Sequence, residues 1–166
     1  MDPEDDWFWY DESECGSLTA KERRFARAIR QCARSWPGDP GDGRRWDRPE
    51  PDDSFLWRGP DAGLLALLHV QGPPWNRSLL TVGAVFDGES ARCDEVHNQR
   101  LYLPLHSSPL AHTVSGAASP EQTATRVADW FEALFQDPRY FTNVIRLSTR
   151  WQRCGNPWPP DDLPDR

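Results

Sequence analysis

The strongest constraint in the chain is the segment Ser119–Asp137, which reads as an amphipathic helix with both of its ends encoded. Ser119 offers a side-chain oxygen to the orphan amides of the first turn. Pro120 presets a helical φ where its missing N–H is not needed, and Gln122 completes the start signal. Val127, Phe131 and Leu134, flanked by Ala124, Ala128 and Phe135, recur at the spacing that gathers side chains on one helical face. Asp137-Pro138 ends the pattern. Burying the three large side chains contributes about 1.5–3 kcal/mol each before the entropy of ordering them is subtracted. A helix with such a face needs a second layer to lie on.

The middle of the chain supplies that layer. Leu64-Leu-Ala-Leu-Leu-His-Val70 is a continuous apolar run, read as a strand covered on both faces, and Leu79–Phe86 is a second, partly β-branched run ended by Asp87-Gly88. The turn-rich residues Gln71–Ser78 between them predict a hairpin with a long loop. Phe55–Trp57 reads as a short strand. Leu101, Leu103 and Leu105 alternate with other residues, and Pro104 lacks an amide donor, so that strand belongs at a sheet edge. His112–Ala117 and Tyr140–Leu147 read as further short strands. The expected fold is α+β: a mostly antiparallel sheet of about 4–6 short strands in two layers with two amphipathic helices, at about 19–36 and 120–136.

The earlier of those helices starts at Thr19-Ala-Lys-Glu22, a capping box in which hydroxyl and carboxylate satisfy amides reciprocally. Phe25, Ile29, Cys32 and Trp36 share one face, and Pro37-Gly38 stops the helix. Arg23, Arg27, Arg30 and Arg34 repeat the same spacing half a turn away and form an arginine stripe. Such a stripe is either a solvated face or a docking surface. Residues 2–14 carry Asp2, Glu4, Asp5, Asp6, Asp11, Glu12 and Glu14 around Trp7, Phe8, Trp9 and Tyr10, which makes this segment a candidate intramolecular partner for the stripe.

At 166 residues the chain is about one domain long. Its expected organisation is an acidic, aromatic segment at 1–18, a single α+β domain at 19–154 with a long loop at 37–54, and a proline-rich tail at 155–166. No apolar run is long enough to span a bilayer, and the acidic Met1–Asp6 start has the wrong charge for a secretory signal, so a cytoplasmic protein is expected. Arginine supplies nearly all the basic charge, with Lys21 the only lysine, as expected of a GC-rich, bacterial genome. A net charge of −7 argues against a general nucleic-acid binder.

Candidate chemistry is sparse. Cys15, Cys32, Cys93 and Cys154 lie in unrelated segments with no disulfide or metal-ligand framework and are expected to be reduced. Cys93 and His97 could share a metal with His106 or His112, but that spacing is generic, and neither a metal nor a cofactor is expected. His69, inside an apolar run, reads as a hydrogen-bonded core residue. No phosphate-cradling loop, nucleophile elbow or His-Glu-x-x-His helix is present. Nine tryptophans are more informative, because one core does not easily absorb them all. Trp7, Trp9, Trp46, Trp75 and Trp158 fall in segments expected outside it, and Trp46 is flanked by Arg44, Arg45 and Arg48. Tryptophan and arginine dominate binding hot spots at protein interfaces. The interface candidates are therefore those five tryptophans and the four arginines of the stripe.

Ser119-Pro-Glu-Gln122, Ala128-Asp-Trp-Phe-Glu-Ala-Leu-Phe135 and the Asp137-Pro138 stop follow a strand-rich region. Together they resemble the end of small uncharacterised actinobacterial proteins, over about residues 60–140, some of which are encoded beside toxins. The resemblance implies an immunity-type context and carries over no functional residue. The expected function is a non-enzymatic protein-binding module, an immunity-type protein or antitoxin whose partner is a toxin or effector. Two alternatives stay open: a small enzyme or metal-dependent hydrolase using Cys93, His97, His106 or His112, and an acidic nucleic-acid mimic or regulator.

Overall fold

Leu64–Gly72 and Arg77–Phe86 become the two longest strands, β2 and β3, of a five-stranded antiparallel sheet. Short strands join them in simple meander order: β1 (Ser54–Arg58), β4 (Ala91–Glu95) and β5 (His112–Val114). Among the described residues three helices accompany the sheet, α1 (Glu12–Cys15), α2 (Ala20–Ala33) and α3 (Pro120–Gln136). The computed structural model describes residues 7–36, 54–58, 63–72, 77–96, 103, 108 and 110–136. The sheet, α1 and α2 belong to one compact unit, Met1–Glu132, and the second unit, Ala133–Arg166, is described only at the end of α3.

The register explains why β2 and β3 are apolar at successive positions over Leu64–Leu68 and Val82–Phe86. Leu64, Ala66 and Leu68 stand opposite Phe86, Ala84 and Val82, and because side chains alternate along a strand these six share one face. All six are buried. Phe86 stacks flat on Phe25 of α2, with ring centroids 4.5 Å apart. Leu65 and Leu67 point the other way, into a second cluster with Val96 and Leu103 that Phe55, Trp57 and Val85 border. A sheet apolar on both faces reads as an unbroken hydrophobic run.

Gly83 is fixed by this second cluster. A Cβ there would lie 2.6 Å from Val96 Cγ2 and 2.8 Å from Leu65 Cδ1. The β3–β4 turn is Asp87–Ser90, where Asp87 Oδ1 accepts from the amides of Glu89 (2.9 Å) and Ser90 (2.7 Å). Burial pushes the Asp87 carboxyl up, but the bonds from Ser90 and Glu89 outweigh it and the net shift is downward. The buried Asp94 on β4 accepts from the amide and hydroxyl of Ser108, tying the chain after β4 back to the sheet.

Both long helices start as the sequence predicts. Thr19 Oγ1 accepts from the Glu22 amide at 3.2 Å, and Glu22 Oε2 accepts from the Thr19 amide at 2.7 Å. Ser119 Oγ accepts from the Gln122 amide at 3.3 Å, while the Gln122 side chain reaches one residue further back, to the Ala118 amide at 2.7 Å. The described α2 is shorter than expected: it ends at Ala33, and Ser35 and Trp36 continue as a tight turn bonded to Cys32 and Ala33. β4 and α1 were not among the expected elements. Leu103 is buried but lies in no strand, and the remainder of the strand expected at 101–105 lies outside the described residues, as does the one expected at Tyr140–Leu147.

Candidate functional site

The capping box at Thr19 sets the rotational phase of α2. Phe25, Ala26, Ile29 and Ala33 are buried. Arg23, Arg27 and Arg34 are exposed, and Arg30 is half-buried. Glu22 belongs to the box and also to the sheet: its Oε1 lies 3.4 Å from Arg58 Nε on β1. The same arginine donates from Nη1 to Ser17 O at 2.9 Å, which draws the chain before α2 toward β1.

Residues 7–18 run beside α2 and are built into the core. Phe8 is fully buried against Phe131 and Trp36. Its amide donates to Ser54 Oγ at 2.8 Å, and its carbonyl accepts from Arg30 Nε at 3.0 Å. These contacts hold Phe8 in the left-handed region, at φ 55°, a conformation that a non-glycine residue adopts at a cost of about 1–3 kcal/mol. Trp9 bridges to Phe55 in parallel fashion, and its carbonyl accepts from the Leu56 amide at 2.8 Å, so the segment extends the sheet beside β1. Asp11 caps α1 by accepting from the Ser13 amide.

Between this segment and α2 lies an open cleft of about 590 Å³. Arg23, Arg27, Arg30 and Arg34 all line it, and Tyr10 and Glu12 stand on the other wall. The stripe is therefore one side of a groove. Arg23 Nη1 donates to Leu18 O at 2.7 Å, which orients that guanidinium along the cleft. Arg27 has neither a hydrogen bond nor an ion pair among the described residues. Tyr10 donates to Gly16 O. Burial, and then the neighbouring Cys15, raise its phenol pKa, so it stays a neutral donor and acceptor at the cleft edge.

α2 carries five basic residues and one acid, and that acid is buried and paired with Arg58. Arg24, outside the stripe, forms a two-point bond with Glu121 on α3, at 2.6 and 2.8 Å. That bond, followed by a bond from Glu121's own backbone amide and one from Ser119, holds the Glu121 carboxyl down at about 2.

The other sequence candidates are dispersed. Trp7 is half-buried, edge-on to Trp36 at 5.0 Å. Trp9 is exposed, tilted over Phe55. Trp46, Trp75 and Trp158 lie outside the described residues, as do His97 and His106. Cys93 is buried in β4, and burial followed by the charge of Asp94 pushes its thiol up to about 12, far from a reactive thiolate. His112, its cross-strand neighbour, is exposed. His69 Nδ1 lies 2.9 Å from Thr81 Oγ1, a hydrogen-bonded cross-strand pair. Among the described residues no three His, Cys, Asp or Glu side chains are placed to hold a metal ion, and no helix is long and apolar enough to cross a membrane.

Tyr10 and Glu12 were named in the sequence only as members of the segment expected to dock on the stripe, not as cleft walls. Their only sequence signal is the Trp-Phe-Trp-Tyr run among acids, which has no periodicity to assign it a face. No family model, curated protein or solved structure matches the chain.

Proposed function

We propose that this chain is a non-enzymatic protein-binding module whose contact surface is the α2 cleft. The observation that carries the reading is the convergence of Arg23, Arg27, Arg30 and Arg34 on one groove with Tyr10 on its opposite wall. Arginine and tyrosine are over-represented among residues that dominate binding energy. The exposed Trp9, next to Tyr10 in the chain, adds a large apolar contact. The placement of Cys93, with its thiol held protonated in the sheet, gives no support to a nucleophilic role for that residue. A bacterial immunity-type protein that neutralises a toxin in the cytoplasm is the specific form of this reading, supported by the resemblance of the 119–138 segment.

The test is affinity capture from the native host with the full chain as bait, beside Arg27→Glu and Arg92→Glu variants. Arg92 is also exposed but lies on β4, away from the cleft. The reading expects a protein retained stoichiometrically by the wild type and by Arg92→Glu, and lost with Arg27→Glu. Retention of no protein by any bait would overturn it.

A further inference from the structure

We propose that residues 7–16 form a strap that hinges at Gly16 and opens as a unit while the sheet stays folded. Two unusual backbone positions bracket the segment. Phe8, at the docking end, sits at φ 55°, in a region that bulky side chains rarely occupy. Gly16, at the other end, has φ 74° and ψ 174°, a combination open essentially to glycine alone. Gly16 is exposed, and a Cβ there would meet no atom within 4 Å. No neighbour therefore blocks a change of its dihedral angles, which is what a hinge residue has to absorb.

The bonding pattern changes at the same residue. Before the hinge the chain bonds to itself: the Ser13 amide donates to Asp11 Oδ1 at 2.7 Å, the Cys15 amide to Asp11 O at 3.0 Å and the Gly16 amide to Glu12 O at 3.0 Å. These bonds move with the strap. After the hinge the chain is fixed to the body, where Ser17 O accepts from Arg58 Nη1 on β1 and Leu18 O from Arg23 Nη1 on α2. Tyr10 donates to Gly16 O across the hinge and latches the closed setting. At the docking end, Phe8 is seated in the core with its amide on Ser54 Oγ and its carbonyl on Arg30 Nε. Within residues 7–11 Trp9 alone pairs with β1, through one parallel bridge and the bond from the Leu56 amide. Opening unseats Phe8 and releases its strained φ.

Tyr10 and Glu12 line the cleft, so opening of the strap removes that wall. A protein seated against both walls holds the strap closed, and this consequence alone rests on the protein-binding reading.

Native-state hydrogen exchange on the full chain, followed amide by amide with nuclear magnetic resonance, tests the proposal. Amides along a strand face alternate edges, so the Leu56 amide is closed by Trp9 while those of Phe55 and Trp57 face β2. After correction for intrinsic rates, the amides of Leu56 and Phe8 are expected to exchange at a common rate, at least about tenfold faster than those of Phe55 and Trp57. Gly83→Ala weakens the sheet in the closed and open forms alike, so it should speed exchange at Phe55 and Trp57 and leave Leu56 and Phe8 unchanged. Gly16→Ala strains the closed form through its backbone alone and should speed exchange at Leu56 and Phe8 about tenfold. Protection of Leu56 equal to that of Phe55 and Trp57, or an equal response of all four amides to Gly83→Ala, overturns independent opening. Unchanged exchange at Leu56 and Phe8 in Gly16→Ala overturns the hinge. These rates are read on the free protein, so their failure leaves the protein-binding reading standing, and that reading fails or stands on capture from the host.

Discussion

α2 and α3 begin with the same device, a hydroxyl cap answered by a Glu or Gln three residues on, and each buries one apolar face. Their polar faces differ. α2 has five bases to one acid, whereas α3 has three acids, Glu121, Asp129 and Glu132, to one base, Arg126. One arginine of α2, Arg24, is matched to α3 through Glu121, and the stripe faces a groove that residues 10–18 wall off. Shared local grammar builds both helices. The difference in charge, and the presence of a facing wall, set the α2 surface apart from that of α3.

The largest expected effect falls where the helix layer meets the sheet. Phe25→Ala removes the ring stacked on Phe86 and should cost about 3–5 kcal/mol, read as a fall in the urea midpoint with an unchanged slope. Phe8→Ala should cost a similar amount, about 3–5 kcal/mol, and should also weaken binding at the cleft, because Phe8 anchors the wall. A Phe8→Ala protein as stable as the wild type would mean that the segment is an appendage and that the groove has only one fixed side.

Smaller changes sharpen the comparison. Gly83→Ala drives a methyl group into Val96 and Leu65 on the sheet face away from Phe25, and should cost about 1–3 kcal/mol while leaving cleft binding unaltered. Thr19→Ala and Ser119→Ala each remove one cap and should cost about 1 kcal/mol. If the two helices differ only in surface charge, these two thermal shifts should be close in size, and a shift in one alone would show that the helices are held by different means.

The Arg24–Glu121 bond gives the smallest effect. The Glu121 carboxyl is held down at about 2 in the fold, below its ordinary value, so its contribution is fully present above the unfolded pKa of about 4.3 and is lost as pH falls through the folded value. Glu121→Gln should lower the melting temperature slightly at neutral pH, with the difference closing toward pH 2 and shrinking in high salt. A difference that persists at pH 2 would assign it to packing.

Much of this fold was legible from local signals. The caps at Thr19 and Ser119, the apolar runs of β2 and β3, and the Asp87-Gly88 turn each carry their structure in a few adjacent residues. β4 was not, because Ala91-Arg-Cys-Asp-Glu95 holds only two apolar residues, and the burial of Asp94 depends on Ser108, fourteen positions away. Phe8 was hidden for the same reason: its neighbours in sequence are other aromatics inside an acidic stretch with no periodicity, and its neighbours in space are Ser54, Trp36 and Phe131. The candidate site divides along this line. The arginine spacing could be read from α2 alone, but the groove exists because a distant strand edge pins residues 7–18 beside it. Long-range pairing is what single-sequence periodicity does not carry.

The most direct test of the account is a nuclear magnetic resonance titration that follows every arginine Nε–Hε signal while the protein captured from the native host is added. The account predicts that the signals of Arg23, Arg27, Arg30 and Arg34 move together and saturate, with Arg27 moving furthest, while those of Arg92 and Arg126 stay in place. Equal movement of Arg92 or Arg126, or a stripe that does not respond, would contradict the claim that the cleft along α2 is the binding surface.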